Sequence, residues 1–132
     1  ADIIAGFPTE TDAMFERSLN IVAECGLTHL HVFPFSARDG TPAARMPQLP
    51  RRLVRERAGR LREIGRNAYR KHLDSLTGTR QRILVERDRI GRTEGFTLAA
   101  IDDGDPGEIV EAIIQGHEGD RLIARSTTAL AA

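Results

Sequence analysis

Five arginines and one phenylalanine crowd a short stretch of this chain: Arg80, Arg82, Arg87, Arg89 and Arg92, with Phe96 close behind. Guanidinium groups hold phosphates through paired N–H donors, and a phenyl ring stacks on an unpaired base. This composition suits RNA whose bases are splayed out. Glu86, Asp88 and Glu94 interleave with the arginines, so a solvated face of mixed charge is the competing reading. A second group opens the chain. In Gly6-Phe7-Pro8-Thr9-Glu10-Thr11, Gly6 admits a close backbone or ligand approach, Pro8 stiffens the turn, and Glu10 can accept from a ligand amine or hydroxyl. The alternative is a plain strand-to-helix turn with Glu10 easing the helix dipole. A third group is Phe35-Ser36-Ala37-Arg38-Asp39-Gly40-Thr41-Pro42. Arg38 could grip a phosphate or carboxylate there, or pair with Asp39 in a turn bent at Asp39-Gly40. His29 and His31, two apart on one strand face, could ligate a metal, but no third ligand is near in sequence and packing roles suit them better. Cys25 reads as a small core residue.

The elements that must position these residues follow from periodicity. Ile3–Ala5 reads as a buried strand. Residues 11–25 read as a helix with Phe15, Leu19 and Val22 on one face, capped by Thr9 or Thr11 and stopped at Gly26. Thr9 and Asp12 form a weak capping-box variant. Leu30–Phe35 is a second strand, and a strand–helix–strand crossover favours parallel pairing. Ligands gather where strand C-termini meet helix N-termini in such units. Residues 36–50 are a loop carrying Gly40, Pro42, Pro47 and Pro50. A long helix then runs from Arg51 to about Ser75, with Val54, Ala58, Leu61, Gly65, Ala68 and His72 on one stripe. Arg51, Arg55, Arg62, Arg66 and Arg70 crowd its other faces. Gly78 ends it.

Beyond Gly78 the period changes. Ile83–Val85, Phe96–Ile101, Ile109–Ile114 and Leu122–Ala124 are short strand candidates. Turn formers separate them at Gly91, at Asp103-Gly104-Asp105-Pro106-Gly107, and at Gly116 to Gly119. That rhythm predicts a small barrel or sandwich. The fold class expected is therefore α/β followed by all-β: part of a parallel β/α barrel, a long Arg-rich helix, then a small antiparallel β-barrel. The domain reading is residues 1–75 and residues 76–132, with an Ala-rich tail that frays.

Composition bounds the answer. The 132 residues carry 19 basic and 19 acidic side chains, so net charge is zero. The distribution is uneven: residues 51–75 hold eight Arg and Lys71 against Glu56, Glu63 and Asp74. A polyanion would feel that local field rather than the total. Apolar runs never approach the roughly 18 residues of a membrane span, and the opening Ala-Asp-Ile, with no basic flank, is not expected to be a signal peptide. A single cysteine excludes an internal disulfide and a cysteine-held cluster within the chain, and fits a cytoplasmic setting. A start without Met or a leading loop predicts a fragment of a longer protein.

Three segments, in order, resemble one family. DIIAGFPTETDAMF is similar to the strand-five segment of radical S-adenosylmethionine methylthiotransferases, D-I-I-V-G-F-P-G-E-T. HVFPFSARDGTPAARM is similar to their strand-six segment, F-x-Y-S-x-R-x-G-T-x-A. LVERDRIGRTEGF resembles the opening of their TRAM domain, an RNA-binding β-barrel. Thr9 stands where the family more often has glycine. With Cys25-Gly26-Leu27-Thr28 and His29-Leu30-His31-Val32-Phe33, it resembles the branch acting on threonylcarbamoyladenosine in transfer RNA. The branch acting on isopentenyladenosine is the runner-up, and the branch modifying a ribosomal protein is less similar.

The resemblance implies that this is the C-terminal portion of a tRNA methylthiotransferase. The parent would use 4Fe–4S clusters and S-adenosylmethionine to place a methylthio group on carbon 2 of the modified adenine beside the anticodon. The family's C-x-x-x-C-x-x-C motif is absent here, so the fragment is expected to be inactive alone, with no cofactor bound to it. Gly6, Pro8 and Glu10 would lie near the S-adenosylmethionine pocket, and Ser36 and Arg38 would face cofactor or substrate. Arg80, Arg82, Arg92 and Phe96 would contact RNA. No residue here is assigned a catalytic or metal-binding role. Expected partners are a tRNA anticodon stem-loop and the N-terminal part of the same protein, with no membrane. Residues 1–45 alone would be weakly packed, swapped or dimeric, whereas the C-terminal barrel would stand by itself. Two rivals are a stand-alone RNA-binding module and an unrelated α/β domain with a metal at His29 and His31.

Overall fold

The computed structural model describes residues 1–130. The chain divides into two compact units, Ala1–Tyr69 and Arg70–Ala132. In the first, β1 (Asp2–Ala5) and β2 (His31–Pro34) pair in parallel, with Asp2 opposite His31 and Ala5 opposite Pro34. α1 (Asp12–Glu24) makes the crossover. Thr11 is its N-cap, accepting from Met14 N at 3.2 Å, so the Thr9–Asp12 capping box does not form. At the other end Gly26 N bonds Ala23 O and Leu27 N bonds Val22 O, a Schellman stop that requires the positive φ of Gly26. The core joins Ala5, Phe15, Leu19 and Val22 to Ala58 and Leu61 of α2 (Arg51–Leu76). Ile3, Val32 and Leu30 pack against it, while Ile4 and Phe33, opposite each other in register, point away and are exposed.

In the second unit β3 (Arg80–Arg87), β4 (Ile90–Thr93), β5 (Leu98–Ile101), β6 (Ile109–Glu118) and β7 (Arg121–Ser126) close into a barrel ordered β3-β4-β5-β7-β6. Alternate residues fill it: Ile83 and Val85, Ala99 and Ile101, Ala112 and Ile114, Leu122 and Ala124 are buried. Closure removes the unpaired edges an open sheet would expose. A short helix, α3 (Thr127–Leu130), follows. The last two residues of the Ala-rich tail, and the fraying expected of them, lie outside the described residues.

Three expectations need correction. The barrel is mixed rather than antiparallel, because β5 and β7 run parallel, Ala99 opposite Leu122. The long Asp102–Glu108 connection followed by β6 lets β7 arrive beside β5 in the same direction. Gly91 is not a turn: it lies inside β4, where a Cβ would sit 2.3 Å from Leu84 O. The turn falls instead at Asp88-Arg89, both at positive φ (51° and 57°), the signature of a type I′ hairpin. Phe96 lies outside any strand, in the β4–β5 turn. Among the described residues no helix is long and apolar enough to cross a membrane.

Candidate ligand edge and nucleic-acid interface

Parallel pairing brings the C-terminal ends of β1 and β2 to one edge. Gly6, Pro8 and Glu10 follow β1 there; Ser36 and Arg38 follow β2. Phe7 and Phe35 meet edge-on across it, centroids 5.4 Å apart. Glu10 N bonds Phe7 O at 3.0 Å, closing a turn with Pro8 at its second position and Thr9 at its third. Thr9 has φ 70°, which glycine or asparagine ordinarily supplies in such a turn. Ser36 and Arg38 are exposed, and Arg38 O accepts from Thr41 N and Oγ1 in a bend at Asp39-Gly40.

Glu10 points inward rather than toward a ligand. Its Oε1 accepts from Gly6 N at 3.2 Å and from Arg57 Nη1 at 2.6 Å. Arg57 Nη1 also bonds Glu10 O at 2.8 Å, and Nη2 bonds Asp12 Oδ1 at 2.6 Å. Arg57 is 3% exposed and Glu10 9%, whereas Asp12 is 95% exposed. Burial alone would lower the Arg57 pKa, but hydrogen bonds and charge from Asp12 and Glu10 more than reverse that, and it is raised. The guanidinium also lies 5.3 Å from the Phe15 ring centroid. Gly6 has φ 77°, and a Cβ there would meet the Val54 side chain at 2.8 Å. The turn is thus clamped from below by α2.

Arg57 escaped the sequence reading. The signal was there: it sits three residues after Val54 and four before Leu61, so a charge interrupts the apolar stripe. A buried cation at such a position needs an anionic partner brought by the fold.

The histidines do not make a metal centre. His29 precedes β2 instead of lying in it; its Nδ1 is 2.8 Å from Thr28 Oγ1 and its ring packs edge-on to Tyr69 at 4.9 Å. His31 Nδ1 is 3.2 Å from Asp2 Oδ1. Among the described residues no group of three or more His, Cys, Asp or Glu could hold a metal ion. Cys25 is exposed instead of buried, and alone it does not fit the thiolate set of an iron–sulfur cluster.

On the barrel, three of the four predicted arginine and phenylalanine positions converge. Arg82, Leu84, Glu86, Arg92, Thr93, Glu94, Phe96 and Ile109 line a cleft of about 240 Å³. Arg92 Cζ lies 4.4 Å from the Phe96 ring centroid, and Arg92 Nη1 donates to Phe96 O at 3.3 Å. Phe96 is 68% exposed, as Leu84 and Ile109 are exposed, an apolar floor within a charged rim. Arg80 stands apart from the cleft and pairs with Glu111 at 3.0 Å. The turn Thr93-Glu94-Gly95-Phe96 is closed by Phe96 N to Thr93 O, 2.9 Å, with Phe96 at φ 65°. That is the left-handed position of a bulged hairpin loop, which glycine ordinarily fills.

A parallel β–α–β edge is thus joined in sequence to a small closed barrel bearing an arginine–aromatic cleft. No family model matches the chain. The threonylcarbamoyladenosine tRNA methylthiotransferase MtaB of Rickettsia prowazekii is 47% identical over 102 residues, 77% of this chain and 24% of that protein. The tRNA-2-methylthio-N(6)-dimethylallyladenosine synthase of Corynebacterium urealyticum is 36% identical over 139 residues, 93% of this chain and 25% of its own. Its counterpart in Aquifex aeolicus is 38% identical over 117 residues, 83% and 27%. The chain spans about a quarter of the length of these curated relatives. Its homologues are methylthiotransferases, matched along most of this chain.

Proposed function

We propose that this chain is the C-terminal part of a tRNA methylthiotransferase whose target is N6-threonylcarbamoyladenosine beside the anticodon. The observation that carries the reading is the 47% identity to the Rickettsia enzyme, which runs through most of the chain. The enzymes named for dimethylallyladenosine match at lower identity, and their substrate is the second reading. Residues 1–75 supply the edge of the β/α barrel and its linking helix, and residues 76–132 a TRAM-like RNA-binding barrel. The residues present do not fit an iron–sulfur cluster, so cluster chemistry belongs to other parts of the parent, and the fragment is inactive alone. Bound S-adenosylmethionine would supply the radical and methyl chemistry. The backbone at Gly6 and Pro8, with Ser36 and Arg38, forms this chain's share of its pocket; Glu10 acts by holding that backbone on Arg57. Ile4 and Phe33 are the apolar face that the remainder of the parent covers, and the fragment by itself pairs or swaps through them. Arg80, Arg82, Arg92 and Phe96 hold the anticodon stem-loop, in a cytoplasmic protein.

The test is a chimaera in which this chain replaces the matching segment of the Rickettsia enzyme. Nucleosides from tRNA of a strain lacking its own enzyme are then digested and analysed by mass spectrometry. Methylthiolated threonylcarbamoyladenosine is the expected product. Methylthiolated isopentenyladenosine would select the second reading, and a folded, cluster-loaded chimaera that makes neither would overturn both.

A further inference from the structure

We infer that Glu86 and Glu94 are an internal charge lock on the RNA cleft, occupying its two arginines until phosphate displaces them. The inference rests on the RNA-binding reading of this barrel and adds a regulatory layer to it. Glu94 Oε1 accepts from Arg82 Nη1 at 2.9 Å, and Glu86 Oε1 accepts from Arg92 Nε at 3.2 Å. All four side chains line the same cleft as Phe96, Leu84 and Ile109. The alternation of β3 puts Arg82, Leu84 and Glu86 on its outward face, and Leu84 stands opposite Arg92 of β4. Each arginine is therefore held at the rim of an apolar floor by a carboxylate.

Such pairs are weak because they are open to water, so a phosphate, itself a good bidentate partner for guanidinium, can replace the carboxylate. The exchange is not free. It leaves a carboxylate beside an incoming polyanion, and that repulsion is felt by any RNA whose bases do not also fill the floor. A splayed base stacked on Phe96 offsets it; an unbroken duplex, which offers only backbone, cannot. The lock thus discriminates loops from helices with no hydrogen bond to a base edge. Phe96 is suited to that role: its strained backbone keeps the ring outside the core, and Arg92 braces it.

The experiment is fluorescence anisotropy of a labelled anticodon stem-loop RNA, and of a duplex of equal length, against the full chain. The variants are Glu86→Gln with Glu94→Gln, and Arg82→Gln with Arg92→Gln, each checked for fold by circular dichroism. The lock predicts that the glutamine pair tightens duplex binding about tenfold and loop binding less, narrowing the preference. It also predicts a log–log salt slope steeper by about 1, since no freed carboxylate recaptures cations. The arginine pair should weaken both RNAs. If the arginine variant binds both RNAs more weakly but the glutamine variant binds the duplex no more tightly than wild type, the lock is wrong while the RNA reading stands. If removing the arginines changes nothing, both fall.

Discussion

Removing Arg57 tests whether the turn after β1 is held by a buried charge pair or merely decorated by one. Arg57→Met keeps much of the side-chain volume and leaves Glu10, 9% exposed, without its cation. Breaking a buried pair from one side costs about 3–5 kcal/mol, because the remaining charge stays desolvated. Asp12→Asn removes the charge from a bond of the same 2.6 Å length, but at a side chain 95% exposed, and should cost no more than about 1 kcal/mol. Glu10→Gln is intermediate: an amide oxygen can still accept from Gly6 N and Arg57, and Asp12 remains, so about 2 kcal/mol is expected from the loss of a charged hydrogen bond. The double variant Arg57→Met with Glu10→Gln buries no orphan charge. Its cost should fall short of the sum of the singles by about 1–3 kcal/mol. The chain has one tyrosine and no tryptophan, and Tyr69 packs against His29 in this unit, so its fluorescence during urea unfolding reports the first unit. Costs for Arg57→Met and Asp12→Asn that are equal and small, or singles that add without coupling, would refute the clamp.

Other consequences are open to measurement. Thr9→Gly should stabilise the first unit by about 1 kcal/mol, since relief of a left-handed threonine outweighs the extra freedom glycine gives the unfolded chain; Thr9→Val, still β-branched, should give no gain in the same urea titration. Gly6→Ala should destabilise by about 2–4 kcal/mol, combining positive φ with a clash on Val54 at 2.8 Å. Phe96→Ala should leave the barrel's melting temperature unchanged and reduce stem-loop affinity by about 1–3 kcal/mol, the worth of one stacked base.

Much of the fold was legible because it rests on period and punctuation. Phe15, Leu19 and Val22 at helical spacing, stopped by Gly26, gave α1 within a residue of its observed ends. The crossover logic gave the parallel pairing of β1 and β2. Legibility failed where a residue contradicts its own conformational preference. Asp88-Arg89 turns with no glycine, while the glycine two residues on lies in a strand because Leu84 O allows no side chain there. The parallel neighbour of β5 is a long-range choice made by barrel closure, and no local pattern encodes it. At the candidate ligand edge, residue types located the turn but not the direction of Glu10, because Arg57 lies 47 residues away in sequence.

Backbone strain ties the two candidate sites together. Four non-glycine residues among those described have positive φ: Thr9, Asp88, Arg89 and Phe96. Asp88 and Arg89 are the centre of a two-residue hairpin, where the geometry of strand twist demands that conformation. Thr9 and Phe96 also fill turn positions that demand it, but there a β-branched and an aromatic residue sit where glycine would cost less. Both are exposed, so neither is compensated by burial of its own side chain. Each is instead fixed by a neighbouring arginine, Arg57 through Glu10 beneath Thr9 and Arg92 against the ring and carbonyl of Phe96. A strained turn residue is thus kept in place by a neighbouring arginine at each candidate site, so the conformation of both turns depends on Arg57 and Arg92.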